Sequence, residues 1–507
     1  MRCCLALSLL LPVFGFAADP GVRQIGVNLA GAEFGREMPG TYGKEYTYPG
    51  TRQFDYCRAK GIAIVRLPFR WERLQHSLLE PLDADELARL DATAALARER
   101  GIKLLLDMHN YARYRGRLIG GDEVPNAAFA DVWARLAAHY RGNAAIFAYG
   151  IMNEPHGTKG LWPAAAQACV DAIRAVDMET TIIVCGDGWS GAHSWPQING
   201  KFLLNDPADR LVYEAHQYFD RDHSGSYKKS YDEEGAYPDV GVDRLQPFIK
   251  WLEEHGAKGF IGEFGVPDDD PRWLVALDRT LAEMRRHQLG GTYWAAGPWW
   301  GKYPLSVEPR DGQDRPQMAV LEQYAGDRDG SGDKPWIAAA ETAEAAARAA
   351  REAEAKLGRR VHDFGARPES YHYSNEGSEF ASEEGTDGDR ACRRIAYRHL
   401  GEPAWVGFGL YFGSLDCRGH AAFSLDIRAE QPVRLEIKAY TPDGERFAGF
   451  FAVAAGWQTL AIPFAELKAG ETVFQPDLRI QKIEFQPGTN REGGKLDLGV
   501  FRLAAAP

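Results

Sequence analysis

Short apolar segments alternate with longer amphipathic ones between residues 24 and 294. The amphipathic segments, for example Asp83–Arg100 and Asp270–Arg286, carry apolar residues at the spacing of an α-helix. Strand and helix alternating eight times predicts a (β/α)8 TIM barrel. An open doubly wound sheet is the alternative. A Gly-rich phosphate-binding turn would indicate that fold, and the sequence lacks one. The strand-like runs are Gln24–Leu29, Ala63–Pro68, Ile102–Met108, Phe147–Met152, Thr181–Cys185, Leu211–Ala215, Gly259–Gly262 and Gly290–Trp294.

A polar segment and then an Ala-, Glu- and Arg-rich segment follow the predicted barrel. Ala325–Lys334 has the acidic spacing of a calcium loop from residue 327 to 333, but Ala338 stands where the closing glutamate belongs, so a solvated connector is expected. Ile337–Leu357 consists of strong helix formers with few large apolar residues. It predicts a semi-rigid helical spacer, or a helix packed along one domain if Trp336 and Leu357 anchor it.

From about Val361 the pattern changes to period-two alternation without an intervening long helix. Turn sequences such as Pro442-Asp443-Gly444 separate the runs. This pattern predicts an all-β jelly-roll sandwich. The expected domains are therefore a signal peptide (1–18), the barrel (19–325), the linker (326–358) and the sandwich (359–507). The predicted strands are Trp405–Phe412, Ala421–Arg428, Val433–Tyr440, Trp457–Pro463, Ile480–Gln486 and Leu496–Arg502.

The N-terminus and the charge indicate an exported protein. Arg2, the apolar run Leu5–Phe16 and the small pair Ala17-Ala18 form a signal-peptide pattern, so we expect a secreted mature protein without a membrane anchor. The chain carries 59 Lys and Arg against 71 Asp and Glu, a net charge of −12 without a basic stripe, which argues against nucleic-acid binding. We also expect a monomer.

Five cysteines remain beyond the predicted signal peptide, without metal-binding spacing. Cys392 and Cys417 lie in one later segment and could pair in an oxidising compartment. The odd number leaves at least one thiol free.

Polar residues collect where the predicted barrel strands end, which is the face that carries chemistry in this fold. Two of them are carboxylates, Glu154 after the fourth run and Glu263 after the seventh. Paired carboxylates suit glycosidic cleavage, with one group as acid and base and the other as nucleophile. No cluster has convincing spacing for a catalytic metal. The accompanying residues are Arg66, His109, Asn153, His216, Tyr218 and Trp294.

Each accompanying residue has a role in that reaction. We expect Arg66 to keep Glu263 ionised, Asn153 to bond a sugar 2-hydroxyl, and His216 and Tyr218 to orient the carboxylates. His109 is expected to support the site. A barrel rim with buried ion pairs and no turnover is the alternative.

Aromatic residues near the strand ends indicate how a substrate is held. Sugar faces carry C–H groups that pack on aromatic rings, so a row of rings suits a chain of sugars. Trp294 is the expected sugar platform, with Trp189, Trp299 and Trp300 as further contacts. Trp71 and Trp195 lie in the same segments. Some of these residues are equally well explained as core, because Trp is highly buried on average.

These motifs resemble glycoside hydrolase family 5 over residues 24–325. Asn153-Glu154-Pro155 is similar to the family's acid/base motif, and Gly262-Glu263-Phe264-Gly265 to its nucleophile motif. Arg66, His109, His216, Tyr218 and Trp294 match other active-site positions of the family. The segments Gly26–Gly31, Pro39–Tyr42 and Thr292–Trp300 resemble its endoglucanase branch.

The resemblance implies endo-cleavage of β-1,4-glucan with retention of configuration and without a cofactor. A mannanase or mixed-linkage glucanase on the same barrel remains open, as does a polysaccharide-binding protein without catalysis. The predicted sandwich resembles accessory carbohydrate-binding modules in architecture and context only. A stabilising domain without sugar affinity is the alternative there. Possible sugar contacts, each of which could equally be core, are Tyr371, Tyr373, Trp405, Tyr411 and Tyr440.

Overall fold

A computed structural model describes residues 23–357, 359–364, 370–375, 378–388, 390–400, 405–488 and 493–504. The expected signal peptide, residues 1–18, lies outside the described residues. The chain divides into two compact units between Glu344 and Ala345. No helix among the described residues has both the length and the apolarity needed to span a membrane.

The first unit is a closed barrel of eight parallel strands, each hydrogen-bonded to its neighbours in chain order. The predicted (β/α)8 fold is therefore confirmed. The strands are almost wholly buried, as expected for parallel strands covered by helices. They are β1 (Ile25–Leu29), β2 (Ile64–Phe69), β3 (Lys103–Met108), β4 (Ile146–Gly150), β5 (Thr181–Cys185), β6 (Leu211–His216), β7 (Gly259–Phe264) and β8 (Gly290–Ala296).

Helices surround the strands and begin close to the predicted positions. Asp83 caps one of them, since its carboxylate accepts a hydrogen bond from the Glu86 amide at 2.8 Å. The helices are Thr51–Ala59, Trp71–Leu74, Ala84–Glu99, Asn126–Tyr140, Trp162–Arg174, Trp195–Asn199, Val240–His255, Arg272–Arg286, Pro316–Glu322 and Pro335–Leu357, and a short 3-10 turn spans Ala192–Ser194.

The start of the last helix, Pro335–Leu357, packs on the barrel. Trp336 is buried in the barrel's hydrophobic core, and Glu344 pairs with Arg272 at 2.9 Å. Lys334, just before the helix, bonds both carboxylate oxygens of Asp278. The expected anchor at Trp336 is therefore present within the first unit, whereas the side chain of Leu357 lies outside the described residues.

The second unit is built from two antiparallel sheets, which confirms the predicted all-β sandwich. One sheet has the order β11-β12-β21-β14-β17, with β9 also paired to β21, and the other has the order β10-β13-β20-β15-β16-β18-β19. The strands are β9 (Arg359–Asp363), β10 (Tyr371–Ser374), β11 (Glu379–Asp387), β12 (Arg390–Arg398), β13 (Val406–Asp416), β14 (Ala422–Ala429), β15 (Val433–Tyr440), β16 (Arg446–Val453), β17 (Gly456–Pro463), β18 (Lys468–Ala469), β19 (Thr472–Val473), β20 (Arg479–Pro487) and β21 (Gly494–Ala504), with a short 3-10 turn at Phe464–Glu466.

One expectation for this unit needs correction, and several of its strands, among them β9, β10 and β16, were not predicted. The hairpin β11–β12 was not predicted, because its strands are largely polar and partly exposed and lack a clean apolar alternation. The possible Cys392–Cys417 disulfide is wrong, since both residues are free thiols, as are Cys57, Cys169 and Cys185. All five are buried.

Candidate active site

Arg66 lies at the centre of the polar residues inside the barrel. It points inward from the middle of β2 and is fully buried. Its guanidinium forms ion pairs with Asp107 at 3.1 Å, Glu214 at 3.0 Å and Glu263 at 3.1 Å. It also donates to the amide oxygens of Asn28 and Asn153. A buried cation needs such a full set of partners, and this one ties β2 to β1, β3, β6 and β7 and to the segment after β4.

Glu214 enters this centre because its strand neighbour on β7 has no side chain. A Cβ atom on Gly262 would lie 1.7 Å from Glu214 Oε1, so only glycine leaves room for the carboxylate. Glu214 is buried, and burial, which alone would raise its pKa, is outweighed by Arg66 and His216, so its pKa is lowered. Glu214 therefore contributes a fixed negative charge beneath the site.

Glu263 stands on β7 with both carboxylate oxygens engaged. One oxygen accepts from Arg66 at 3.1 Å, and the other accepts from the Tyr218 hydroxyl at 2.8 Å. Burial and the neighbouring carboxylate of Glu154 raise the pKa of Glu263, against the opposing effects of His216 and Arg66. Arg66 lowers this pKa in the expected sense, while burial and the like charge of Glu154 act against it, so the expectation that Arg66 keeps Glu263 ionised stays a prediction.

Glu154 follows β4 and faces Glu263. Its φ of 43° lies in the left-handed region, which non-glycine residues seldom occupy, so the chain turns sharply at this residue. Its Oε1 lies 2.8 Å from His216 Nδ1. Carboxylate oxygens of Glu154 and Glu263 lie within 4.8 Å of each other and of a His216 ring nitrogen. The two strand ends thus bring the predicted carboxylates into one small space.

His216, at the end of β6, links the carboxylates. Its Nδ1 faces Glu154, and its Nε2 lies 3.0 Å from Glu214. The pairing of β6 with β7 shifts register between Ala215 and His216, and such an irregularity re-aims a side chain. Burial lowers the pKa of His216, but Glu263, Glu154 and Glu214 together raise it well above its ordinary value. An imidazolium that donates from both nitrogens fits this position.

His109 and Asn153 form the opposite wall. His109 Nδ1 lies 2.8 Å from Asp107, and His109 Nε2 lies 3.1 Å from the Asn153 amide nitrogen. Burial lowers the pKa of His109 well below its ordinary value, so it is a neutral ring that donates to Asp107 and accepts from Asn153. Burial also raises the pKa of Asp107, to about 7. His109 and Arg66 together fix the Asn153 amide at the edge of the site.

Two groups of rings flank the carboxylates. On the Glu154 side, Trp189 stacks on His156 at 3.5 Å with an interplanar angle of 6°, yet remains 52% exposed. On the other side, Trp294 stacks near-parallel on His109 with ring centroids 5.7 Å apart, and Trp300 meets Trp294 edge-on. Of the predicted aromatic contacts, Trp189 therefore lies beside Glu154, while Trp294 and Trp300 pack together next to His109.

The remaining tryptophans divide between loop and core. Trp299 is 41% exposed on the loop after β8. Trp71 and Trp195 are fully buried and belong to the barrel's hydrophobic core. Their side chains are packing residues, which is the alternative considered for them above.

Glu154 borders two surface cavities. A cavity of about 480 Å³ is lined by Glu154, Trp189, His193, His216 and Tyr218, among others. A second cavity, of about 430 Å³, is lined by Glu154, Tyr111, Arg113 and His156, again with Trp189. A ligand that extends past Glu154 therefore meets aromatic and polar walls on both sides.

Several residues of this centre were not found by reading strand ends. Asn28 and Glu214 lie inside β1 and β6, where a polar residue in an otherwise apolar buried strand was the available signal. Glu214 precedes His216 by two residues and so faces the same side of its strand. Tyr303 stacks on Trp300 at 4.5 Å from a loop with no periodic pattern.

Two sets of side chains have the donor spacing of a metal site among the described residues. They are Cys185, Glu214 and His216, and Glu154, His216 and Glu263. Both share His216, whose two ring nitrogens already face carboxylates, and Arg66 forms ion pairs with Glu214 and Glu263. An arginine and a histidine thus already provide positive charge beside these carboxylates.

A closed (β/α)8 barrel with two facing carboxylates and aromatic walls at one mouth defines a glycoside hydrolase of the barrel type. The chain belongs to the cellulase family, glycosyl hydrolase family 5, since the model of that family matches residues 26–299, more than half of the chain. Family membership agrees with the resemblance drawn from the motifs.

Curated proteins and solved structures agree with this assignment. The probable endo-beta-1,4-glucanase B of Neosartorya fischeri is 35% identical over 312 residues, 60% of this chain and 92% of that protein. The structure of the Pseudomonas stutzeri endoglucanase Cel5A is 48% identical, with a TM-score of 0.59 over 63% of this chain and 98% of that one. An endo-beta-1,4-glucanase of Xanthomonas axonopodis is 37% identical, with a TM-score of 0.57 over 60% and 98%.

Proposed function

We propose that the chain is a secreted endo-β-1,4-glucanase that cleaves internal bonds of cellulose or a related β-glucan with retention of configuration. The observation that carries the mechanism is that one carboxylate oxygen of Glu154 lies within 4.8 Å of one of Glu263, with His216 Nδ1 at 2.8 Å and 3.7 Å from the two groups. Retaining enzymes hold their carboxyl groups about 5–5.5 Å apart, whereas inverting enzymes need about 6.5–9.5 Å to admit a water molecule. The narrow gap favours direct attack by a carboxylate.

Glu263 is the proposed nucleophile. It attacks the anomeric carbon while Glu154 protonates the departing glycosidic oxygen, which gives a covalent glycosyl-enzyme and releases the leaving chain. Glu154 then takes a proton from water, and that water displaces Glu263 from the anomeric carbon. Arg66 and Tyr218 hold Glu263 in position, at 3.1 Å and 2.8 Å.

The neighbouring groups support this division of roles. The Asn153 amide, fixed by Arg66 and His109, is available to bond the sugar 2-hydroxyl. His216 orients Glu154 through its Nδ1. The rings of Trp294 and Trp300 form the floor for the sugar that is attacked, and Trp189 contacts the leaving chain.

The choice of β-1,4-glucan rests on the relatives. The Pseudomonas stutzeri endoglucanase has been solved in complex with cellobiose at 48% identity to this chain. A further structure, 42% identical, contains cellopentaose. A mannanase or a mixed-linkage glucanase would use the same carboxylates, so substrate tests have to separate these activities.

The first experiment measures reducing-end release by the purified protein from a soluble cellulose derivative, β-mannan and xylan in parallel. Release from the cellulose derivative that disappears in Glu263→Ala is the expected result. Glu253→Ala, which alters an exposed carboxylate on helix Val240–His255, is the matched control and should release sugar at the parent rate. Release from mannan alone would overturn the substrate, and no release would favour a binding protein.

Retention is tested by following the anomeric proton of the first product by NMR. The β-anomer should appear first and convert slowly to the α-anomer. Initial formation of the α-anomer would overturn the covalent mechanism.

Export is proposed from the apolar run Leu5–Phe16, which lies outside the described residues. N-terminal sequencing of protein from the medium or periplasm should begin near Asp19, whereas an intact Met1 would contradict cleavage. Light scattering coupled to gel filtration should give the mass of a monomer.

The second unit is proposed to be a carbohydrate-binding module. Its jelly-roll sandwich and its covalent attachment to a glucan-cleaving barrel support this role. A binding unit on the same chain would hold the barrel near its polymer.

A further inference from the structure

One outer face of the sandwich combines aromatic rings with a fixed polar network. In the seven-stranded sheet, Val433, Leu435, Ile437 and Ala439 of β15 point into the core. The residues between them point away from it, and the same alternation holds in β13, β20 and β16. We call the outward side of strands β10, β13, β20, β15 and β16 the tyrosine face.

Two tyrosines lie directly over glycines on this face. Tyr371 and Tyr373 of β10 are paired with Gly409 and Gly407 of β13. A Cβ atom on Gly409 would lie 2.7 Å from the Tyr371 ring, and one on Gly407 would lie 2.5 Å from the Tyr373 ring. The glycines thus allow both rings to rest on the sheet.

The most exposed apolar side chains of the unit also lie here. Among its described residues, the large apolar side chains that are exposed are Tyr411, at 63%, and Phe450, at 58%. Tyr411 is opposite Lys482, and Phe450 is opposite Glu436. Exposed rings on the same face as the polar network offer apolar surface on which a ligand can pack.

A polar network fills the middle of the tyrosine face. Glu484 accepts from the hydroxyls of Tyr371 and Tyr440, each at 2.9 Å, and from Lys482 at 2.6 Å. On the neighbouring row, Lys438 bonds Gln486 at 2.6 Å. Side chains that hold one another in this way are ordered before a ligand arrives, which reduces the entropy cost of binding.

The charges on this network are largely compensated. Lys482 pairs with Glu484, and Lys438 pairs with Glu436 at 3.3 Å. A phosphate or an acidic polymer would favour a surplus of cations. Arg434 and Arg446 add two further cations on the outward side of β15 and β16, and Arg434 lies over the Phe450 ring at 4.4 Å. The paired charges and fixed hydrogen-bonding groups of the network, together with the neighbouring rings, suit a neutral ligand with both C–H faces and hydroxyls, such as a sugar.

The face is large enough for a stretch of several sugars. Four interstrand steps separate β10 from β16, which at about 4.8 Å each gives a width of roughly 19 Å. Polar side chains lie in the middle of the face. Tyr411 and Phe450 lie on different strands and at different positions along them, Tyr411 opposite Lys482 and Phe450 opposite Glu436.

We propose that the tyrosine face binds a single chain of neutral β-glucan, with the rings packing on sugar faces and Lys482, Glu484 and Gln486 bonding hydroxyls. This inference rests on the proposed function, since it takes the polymer that the barrel cleaves as the ligand. Binding by both units would keep the barrel at a high local concentration of substrate, and such linkage can raise overall affinity by about 10²–10⁴-fold.

The test is electrophoresis of the full chain through gels containing a neutral soluble β-glucan. The parent carries Glu263→Ala, so that the polymer is not cleaved during the run. Tyr371→Ala with Tyr440→Ala, and separately Glu484→Gln, are added to that parent. Trp457→Ala changes a ring on the outward side of the other sheet, where it pairs with Arg428 and contacts Arg390, and serves as the matched control.

The dissociation constant for the glucan, obtained from the retardation, should rise at least about tenfold in the double-tyrosine variant and severalfold in the Glu484→Gln variant. The Trp457→Ala control should match the parent. Circular dichroism of each variant establishes whether the second unit is folded. If the double-tyrosine variant unfolds, Glu484→Gln still tests the proposal, because glutamine has nearly the same shape as glutamate.

Undiminished retardation in folded variants would overturn the proposal, as would retardation by an acidic polymer such as polygalacturonate but not by β-glucan. Self-association through this face, detected by light scattering as a dimer that the tyrosine substitutions dissociate, would also overturn it. Hydrolysis by the chain without Glu263→Ala is measured separately. Failure of the glucanase proposal would therefore appear as absent hydrolysis, whatever the gels show.

Discussion

Two glutamates, one in each unit, have similar partners and opposite electrostatics. In the barrel, Glu263 accepts from Arg66 at 3.1 Å and from the Tyr218 hydroxyl at 2.8 Å. In the sandwich, Glu484 accepts from Lys482 and from two tyrosine hydroxyls. The pKa of Glu263 is raised, whereas the pKa of Glu484 is lowered.

The two pKa values differ because of the groups around each glutamate. Burial raises the pKa of both carboxyls. Glu263 also faces the carboxylate of Glu154, which raises its pKa further, whereas Glu484 accepts hydrogen bonds from Lys482, Tyr371 and Tyr440, which lower its pKa. A carboxylate beside a second carboxylate is held in a costly state, which is characteristic of reactive sites. A carboxylate satisfied by donors is a structural and binding group.

The largest expected effect separates the two carboxylates of the barrel. Glu263→Ala should reduce kcat by at least about 10⁴-fold on every substrate, because the covalent step is lost. Glu154→Ala should be similarly impaired on polymer but should form the glycosyl-enzyme from an aryl cellobioside with a good leaving group, which needs no proton. Burst kinetics with that substrate measure the difference. An equal loss of activity in both variants on the aryl substrate would contradict the assignment of Glu263 as nucleophile and Glu154 as acid and base.

A smaller effect is expected at the aromatic floor of the cleft. Trp294→Ala should lower kcat/KM on cello-oligosaccharides by about 10–100-fold, since a stacked ring and its buried area are lost. Trp294→Phe should recover part of the loss. Steady-state kinetics with Trp457→Ala as control measure this effect, and an unchanged kcat/KM would remove Trp294 from the substrate site.

Sequence patterns located the strands and the residues at their ends, because both have strong local signals. Period and length distinguish a buried strand from a helix, and Glu154 and Glu263 follow apolar runs directly. The supporting residues needed three dimensions. Glu214 fits because it lies beside Gly262. This neighbour is set by the register between β6 and β7, which cannot be read from either segment of sequence alone. The raised pKa of Glu263 likewise depends on the distance to Glu154.

The second unit was less predictable for the same reason. Tyr371, Tyr373 and Tyr440 were possible sugar contacts or core residues with equal weight. The pairing of β10 with β13 places Tyr371 over Gly409 and beside Glu484, on the outward side of the sheet, and this pairing is not visible in the sequence. Trp71 and Trp195 show the opposite outcome, since loop-like sequence surrounds two fully buried rings.

Opposite pKa shifts predict opposite effects on stability. Glu484→Gln should destabilise the second unit at neutral pH by about 1–2 kcal/mol, because hydrogen bonds to a charged group are weakened and the group is only partly desolvated. Glu263→Gln should stabilise the barrel, since it removes a buried charge beside Glu154. Calorimetry of the two variants measures the sign of each change.

The pH dependence sharpens this comparison. A lowered folded pKa gives stability that is present above the unfolded value and lost as pH falls through the folded value, so the Glu484→Gln effect should disappear in acid. A raised folded pKa imposes a cost that is present above the folded value and absent below the unfolded value, so the Glu263→Gln gain should also disappear in acid. Destabilisation by both variants at neutral pH would contradict the contrast between the two sites.

The smallest expected effect concerns the hydroxyl that Tyr218 donates to Glu263. Tyr218→Phe removes a donor that favours the ionised carboxylate, so the pKa of Glu263 should rise further. Because the proposed nucleophile must be ionised, the acid limb of kcat/KM should move to higher pH, while the rate on the plateau should fall only about two- to tenfold. Profiles of the parent and the variant on one cello-oligosaccharide measure both quantities. Tyr227→Phe, which alters a hydroxyl bonded to backbone groups rather than to Glu263, is the control and should leave the acid limb in place. An acid limb that moves equally in both variants would mean that Tyr218 acts through the fold of the loop and not through the charge on Glu263.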